Sequence, residues 1–134
     1  MSKHKVFSWP VRVYFQDTDA GGVVYHASYV NFMERSRTEW LRTFGYSNAG
    51  LMKELGVVFV VRSLKLDYLK PALLDDLVTV TSKINEVGRS RFTLLHEILR
   101  GEELLTEGEV HLVCVDVKTF KPVSIPDVLR KQWD

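Results

Sequence analysis

The stretch Phe15-Gln16-Asp17-Thr18-Asp19-Ala20-Gly21-Gly22-Val23-Val24-Tyr25-His26 stands between a strand pattern and the longest helical pattern in the chain. Gln16 to Gly22 has the composition of a loop, with two carboxylates beside two glycines. Upstream, Phe7 to Phe15 reads as a strand, because Val11, Val13 and Phe15 alternate with Arg12 and Tyr14. Pro10 is expected near the start of that strand or on an edge, where a missing N–H donor is tolerated. Downstream, Tyr29, Phe32, Met33, Ser36, Trp40, Leu41 and Phe44 recur at three- and four-residue steps. That spacing predicts a long helix beginning near Ser28 or Asn31 and ending at Gly45. Its large aromatic side chains predict heavy cover, as by a sheet wrapped around it.

Beyond the helix the pattern is mostly extended. A short second helix is expected from Ser47 to Leu55, before Gly56. Strands then follow at Val57 to Tyr68, Leu77 to Val87, Arg91 to Arg100 and Leu104 to Val117, where β-branched and apolar residues dominate. Gly88-Arg89-Ser90 and Gly101-Glu102-Glu103 supply turns, and Pro122 and Pro126 end regular pairing before a helical turn at Val128 to Trp133. Strand, helix, then four strands in a meander make an α+β fold with an antiparallel sheet. At 134 residues, with no linker, repeat or low-complexity tract, residues 1–134 form one domain.

Composition narrows the function. A net charge of +1 gives no global field for nucleic acid or an acidic membrane. No apolar run approaches the roughly 20 residues that span a bilayer, and the N-terminus lacks the apolar core of a signal peptide. These features point to a soluble, cytoplasmic protein without membrane insertion. The single cysteine, Cys114, lies in a strand pattern and reads as a small core residue. The histidines His4, His26, His96 and His111 have no metal-ligand spacing, so no metal is expected, and His96 and His111 read as structural.

Chemistry concentrates at the quoted loop. Free N–H groups at a helix start can hold a developing oxyanion while a nearby carboxylate attacks a carbonyl or activates water. Thioesters suit such a site, since a thiol of pKa about 8.5 leaves without a strong general acid. The plainer reading is that Asp17 and Asp19 simply make a turn. A calcium loop fits poorly, because Gly21 and Ser28 stand where oxygen ligands are needed at its fifth and twelfth positions. Gly45-Tyr46-Ser47-Asn48-Ala49 has a weak likeness to a nucleophile elbow, but Ser47 reads better as an N-cap. Arg89, Ser90 and Arg91, beside Gly88, offer guanidinium and hydroxyl donors suited to phosphate, and Arg62, Lys65 and Lys70 could extend that surface.

The blocks Val11 to Phe15, Asp17 to His26 and Glu34-Arg35-Ser36-Arg37-Thr38-Glu39 occur in order with Phe59 to Arg62, Asp67-Tyr68, Pro71-Ala72, Leu74 to Asp76, Cys114 to Asp116 and Lys121-Pro122. This ordered set resembles the 4-hydroxybenzoyl-CoA thioesterase family, and within it the YbgC-type acyl-CoA thioesterases associated with the Tol–Pal system. The resemblance implies a hotdog fold of about five strands around one long helix. It also implies hydrolysis of acyl-CoA with no cofactor beyond the substrate's own coenzyme A. Asp19 falls on the family's catalytic aspartate, as nucleophile or general base. His26 falls where a backbone N–H polarises the carbonyl, with Tyr25 shaping the site. Arg89, Ser90 and Arg91 fall near the family's coenzyme A phosphate contacts. Homodimers that pair their sheets, commonly joined into a homotetramer, are implied as well. Two other classes stay open: a hotdog hydratase/dehydratase using His26 with Glu34 or Glu39, and a non-catalytic scaffold for acyl carrier protein or envelope proteins.

Overall fold

The computed structural model describes residues 5–133. Five strands form one antiparallel sheet: β1 (Phe7–Arg12), β2 (Val57–Tyr68), β3 (Leu77–Val87), β4 (Arg91–Arg100) and β5 (Glu103–Asp116). Their order across the sheet is β1-β3-β4-β5-β2. Helices are α1 (His26–Arg42), the single turn α2 (Asn48–Gly50), which continues as a wider turn over Leu51–Leu55, and α3 (Asp127–Trp133). The fold is α+β, as its pattern indicates.

Three local boundaries differ from the sequence reading. The first strand stops at Arg12, and Phe15–Asp17 forms a tight 3-10 turn. The buried Asp17 carboxylate drives that turn by accepting the Tyr14 amide at 2.8 Å. Helix α1 starts at His26, earlier than Ser28, with Tyr25 as an N-cap whose side chain makes no cap bond. With no side-chain cap, this helix start carries no capping residue in the sequence to mark it. At the other end α1 closes at Arg42, and Gly45 takes a left-handed φ of 95° while its amide bonds Arg42 O at 3.0 Å. Ser47 does cap α2, its Oγ accepting the Gly50 amide at 2.9 Å.

The four-strand meander is corrected too. Strands β3, β4 and β5 are joined by the short turns 88–90 and 101–102, and they pair in sequence. Strand β2 instead pairs with β5, at the far edge from β3. The connection 69–76, with Pro71 inside it, is too long for a tight hairpin and crosses the sheet end. The Ala72 amide donates to Tyr29 Oη at 3.0 Å, and the Leu69 and Lys70 amides donate to Leu105 O at 2.9 and 3.0 Å. The crossing is thereby pinned beside the start of α1.

Cover on α1 is one-sided. Tyr29, Phe32 and Met33 pack with Val11, Val78, Val80, Ile98 and Leu105, while Trp40 and Leu41 join Phe92, Leu94, Leu112 and Trp133. The opposite flank, with Asn31, Glu34 and Arg35, is exposed. Space on the buried side is tight at Gly108, where an added Cβ would lie 2.8 Å from Met33 Cε and 2.9 Å from Leu66 Cδ2. Gly108→Val is expected to cost about 1–3 kcal/mol through overpacking. Urea unfolding monitored at the tryptophans measures it.

Candidate active site

The loop 18–22 is a compact antiparallel turn. Thr18 bridges Val24, the Asp19 amide donates to Val23 O at 2.9 Å, and the Gly22 amide donates to Asp19 O at 3.1 Å. Gly22 has a φ of 82°, which explains a glycine there. Asp19 Oδ1 accepts the Gly21 amide at 2.8 Å. The Asp19 side chain is exposed on the single chain. The turn reading and the catalytic reading therefore share one carboxylate, while Asp17 is a scaffold group.

Tyr25 leaves the loop with its amide on Asp17 O at 2.8 Å and opens α1. Its ring centroid lies 4.3 Å from that of His26. The His26 amide is the first of the helix, and no acceptor among the described residues takes it. The His26 carbonyl accepts Tyr68 Oη at 2.9 Å, which ties the helix start to the end of β2. A cavity of about 280 Å³ opens beside this point, walled by Val24, His26, Tyr29, Tyr68 and Pro71. Asp19 does not line it.

Arg89, Ser90 and Arg91 sit elsewhere. Arg130 of α3 clamps their turn by donating to Gly88 O and Arg89 O at 2.7 and 2.9 Å. Arg91 pairs with Val113 of β5, whereas Tyr68 pairs with Thr106. Seven positions along one strand separate these ends, or about 23 Å at roughly 3.3 Å per residue. Within one chain, the guanidinium cluster and the Asp19–His26 region lie at opposite ends of the sheet.

Arg62 belongs with the cluster. The β2–β5 register shifts between Val61 and Ser63, so Arg62 is the extra residue of a bulge. It lines two cavities together with Arg91, of about 500 and 490 Å³, the first also reached by Ser90. A register shift has no signature in the residue pattern, so the sequence could offer Arg62 only as a loose addition. Lys70 is drawn off into an ion pair with Glu103 at 2.9 Å. On the expectation that this cluster takes the phosphates of a coenzyme A thioester, replacing Arg62 and Arg91 together by alanine should raise KM for such a thioester about tenfold or more with kcat little changed. Steady-state thiol release reads both constants.

The remaining candidates take structural places. Burial pushes the Cys114 thiol up to about 11, which makes it a poor nucleophile. His111 Nε2 contacts Glu109 Oε2 at 2.7 Å on β5, and His96 is buried in β4. His4 lies outside the described residues. No described helix is long and apolar enough to cross a membrane.

A five-stranded antiparallel sheet carrying one long helix is the hotdog class of fold. The Thioesterase-like superfamily model matches residues 13–133, and the chain belongs to that family. It is 48% identical over 122 residues to an acyl-CoA thioester hydrolase, YbgC, of Escherichia coli O6:H1, covering 90% of each chain. It is 45% identical over 124 residues to the acyl-CoA thioesterase YbgC of Haemophilus influenzae, covering 92% of this chain and 91% of that one. A crystal structure of a probable thioesterase from Bartonella henselae superposes with a TM-score of 0.87 at 35% identity, over 91% of this chain and 100% of the other.

Proposed function

We propose that this chain is an acyl-CoA thioesterase, converting an acyl thioester and water to a free acid and coenzyme A. The observation that carries the reading is the unpaired His26 amide at the head of a seventeen-residue helix, beside a cavity and just after the Asp19 loop. Similarity to acyl-CoA thioesterases along most of the chain supports it.

In this mechanism the thioester carbonyl oxygen accepts the His26 N–H, and the helix start favours the negative charge that develops there. Asp19 attacks the carbonyl carbon directly, or takes a proton from a water that attacks it. The tetrahedral oxyanion then collapses, the C–S bond breaks and coenzyme A departs as a thiolate that takes up a proton. If Asp19 attacked directly, water then hydrolyses the acyl–Asp19 anhydride, releasing the free acid and restoring the carboxylate. Tyr25 shapes the approach, and no cofactor beyond the substrate's own coenzyme A is used. Hydration chemistry fits less well. His26 and Glu34 are eight residues apart on one helix, about 12 Å along its axis, and Glu39 is held by Arg42 at 3.0 Å.

A second copy completes the site. The outer edge of β2 is unpaired, and Val61, Leu64 and Tyr68 along it are exposed. Antiparallel pairing of two such edges reverses direction, so one chain's Arg62, Ser90 and Arg91 approach the other's helix start. Coenzyme A phosphates then rest on one subunit while the thioester meets Asp19 of its partner. Two such dimers joining would give a homotetramer. An acyl carrier protein presenting the same thioester is a second carrier to test.

The experiment is thiol release by the purified chain from acyl-CoA and acyl-carrier substrates, alongside an enoyl-thioester hydration assay and light scattering for mass. No thiol release with retained carrier binding would leave the scaffold reading in place. Mixing Asp19→Asn chains with Arg62→Ala/Arg91→Ala chains should restore one low-KM site per mixed pair. No restoration after proven subunit exchange removes the shared site.

A further inference from the structure

One cavity, of about 300 Å³, lies between the exposed flank of α1 and strands β2, β4 and β5. Trp40, Val58, Phe59 and Leu112 give it apolar walls, and Glu34 and Arg37 of α1 line it as well. An engineered apolar cavity of about 150 Å³ binds benzene, so this one has room for an acyl group of roughly ten carbon atoms.

Arg37 is out of place in such a wall unless something meets it. It forms no ion pair among the described residues, not even with Glu34 one turn earlier, and its one hydrogen bond goes to His96 Nε2 at 3.3 Å. A guanidinium carries five N–H donors and no acceptor. The rest of them have no acceptor on the described residues. Burial lowers the Arg37 pKa, and the charge of Glu34 only partly offsets that cost.

The bond to His96 is fixed by a chain of partners. Thr81 O lies 2.8 Å from His96 Nδ1 and can only accept, so Nδ1 carries the proton and Nε2 is left to accept from Arg37. Ser82 Oγ stands 3.2 Å from the same Nδ1 and 2.7 Å from Ser36 Oγ, which donates to Val80 O at 3.2 Å. Every proton in the row has one direction. The buried imidazole thus holds both the helix, through Ser36, and the Arg37 head.

We propose that this cavity, whose Phe92 and Leu112 also line the guanidinium end of the chain, takes the acyl group of a thioester held at the partner subunit's helix start, and that Arg37, held by His96, makes it select acyl groups carrying an oxygen acceptor over plain alkyl groups. The inference rests on the thioesterase reading and adds a substrate class to it. A hydroxyl or keto oxygen accepts from Arg37, and a hydroxyl can also donate to Glu34; a carboxylate pairs with Arg37 alone. A plain alkyl group that shuts water away from the half-buried guanidinium leaves its donors unmet, and donors left unmet in that way are what let a site reject an analogue. Arg37 is the specificity residue, and His96 is a positioning residue.

The test compares octanoyl-CoA, 3-hydroxyoctanoyl-CoA and octanedioyl-CoA as substrates of the full chain by thiol release. For the native chain, kcat/KM for at least one oxygenated substrate should exceed that for octanoyl-CoA by about tenfold or more. Arg37→Met, which keeps the bulk of the stem, should bring the ratio close to one. Arg37→Lys should retain part of it. His96→Gln, whose amide can donate to Thr81 O and accept from Arg37, should retain the ratio, while His96→Leu should lose it. A ratio unchanged in Arg37→Met overturns the proposal, and so does a loss of oligomer mass in that variant with selectivity intact, which would assign Arg37 to a subunit contact. If the native chain cleaves none of the thioesters, the thioesterase reading fails on its own. Calorimetry with the free acids octanoate, 3-hydroxyoctanoate and octanedioate then reads the cavity directly, and an oxygen preference absent from both native and Arg37→Met chains overturns it.

Discussion

Asp19→Asn is expected to lower kcat for acyl-CoA hydrolysis by about 10³-fold or more, with KM and the unfolding midpoint almost unchanged. An amide neither attacks a carbonyl nor takes a proton from water at neutral pH. The replacement can keep the Asp19 Oδ1 acceptor for the Gly21 amide, now at 2.8 Å, so the turn survives. The side chain is exposed, and substitutions there shift stability by no more than about 0.5 kcal/mol. Asp17→Asn is the matched control. Asp17 is buried and its carboxylate holds the Tyr14 amide at 2.8 Å, so that variant should lose stability first and activity only in consequence. Asp19→Asn turnover within tenfold of the native rate would falsify the assignment of Asp19 as the catalytic carboxylate.

The second large effect is on stability against acid. Burial lowers the His96 pKa from 6.5 to about 4, against the upward pull of its bond to Thr81, and the Arg37 charge lowers it further. In the unfolded chain this imidazole binds a proton near pH 6.5; in the folded chain it does not until about 4. Between those values the unfolded state holds more protons, so stability is full above pH 6.5 and falls as pH drops toward 4. From pH 7.5 to 5 the loss attributable to His96 is about 2 kcal/mol, on the order of a third of a small domain's stability. His96→Gln removes the proton uptake, so its urea-derived stability should fall less over that range than the native chain's. The exposed His26 and the half-buried His111 are present in both proteins and cancel in the difference. Equal pH slopes in the two proteins would place the neutral, locked imidazole in error. Carboxylates with lowered pKa act in a separate window. The Arg100 bond holds Asp76 down despite burial, and that contribution disappears only as pH falls through the carboxylate range.

Much of this molecule was legible in its residues because the signals are local. Alternation of Val11, Val13 and Phe15, the three- and four-residue steps from Tyr29 to Leu41, and glycines at 22, 45, 56 and 101 with positive φ are each short-range demands of backbone geometry. They determined the kinds of element, their order and the loop that carries Asp19 to the head of a helix. Pairing across the sheet was decided by tertiary structure alone. The crossing of residues 69–76 sends β2 to the far edge, because Tyr29 and Leu105 anchor that segment from positions distant in the chain. The Arg62 bulge and the row from Arg37 through His96 to Ser36 depend on strand register in the same way. Periodicity tells which side of a strand a residue occupies; only the packed sheet tells which residues from other strands meet it there.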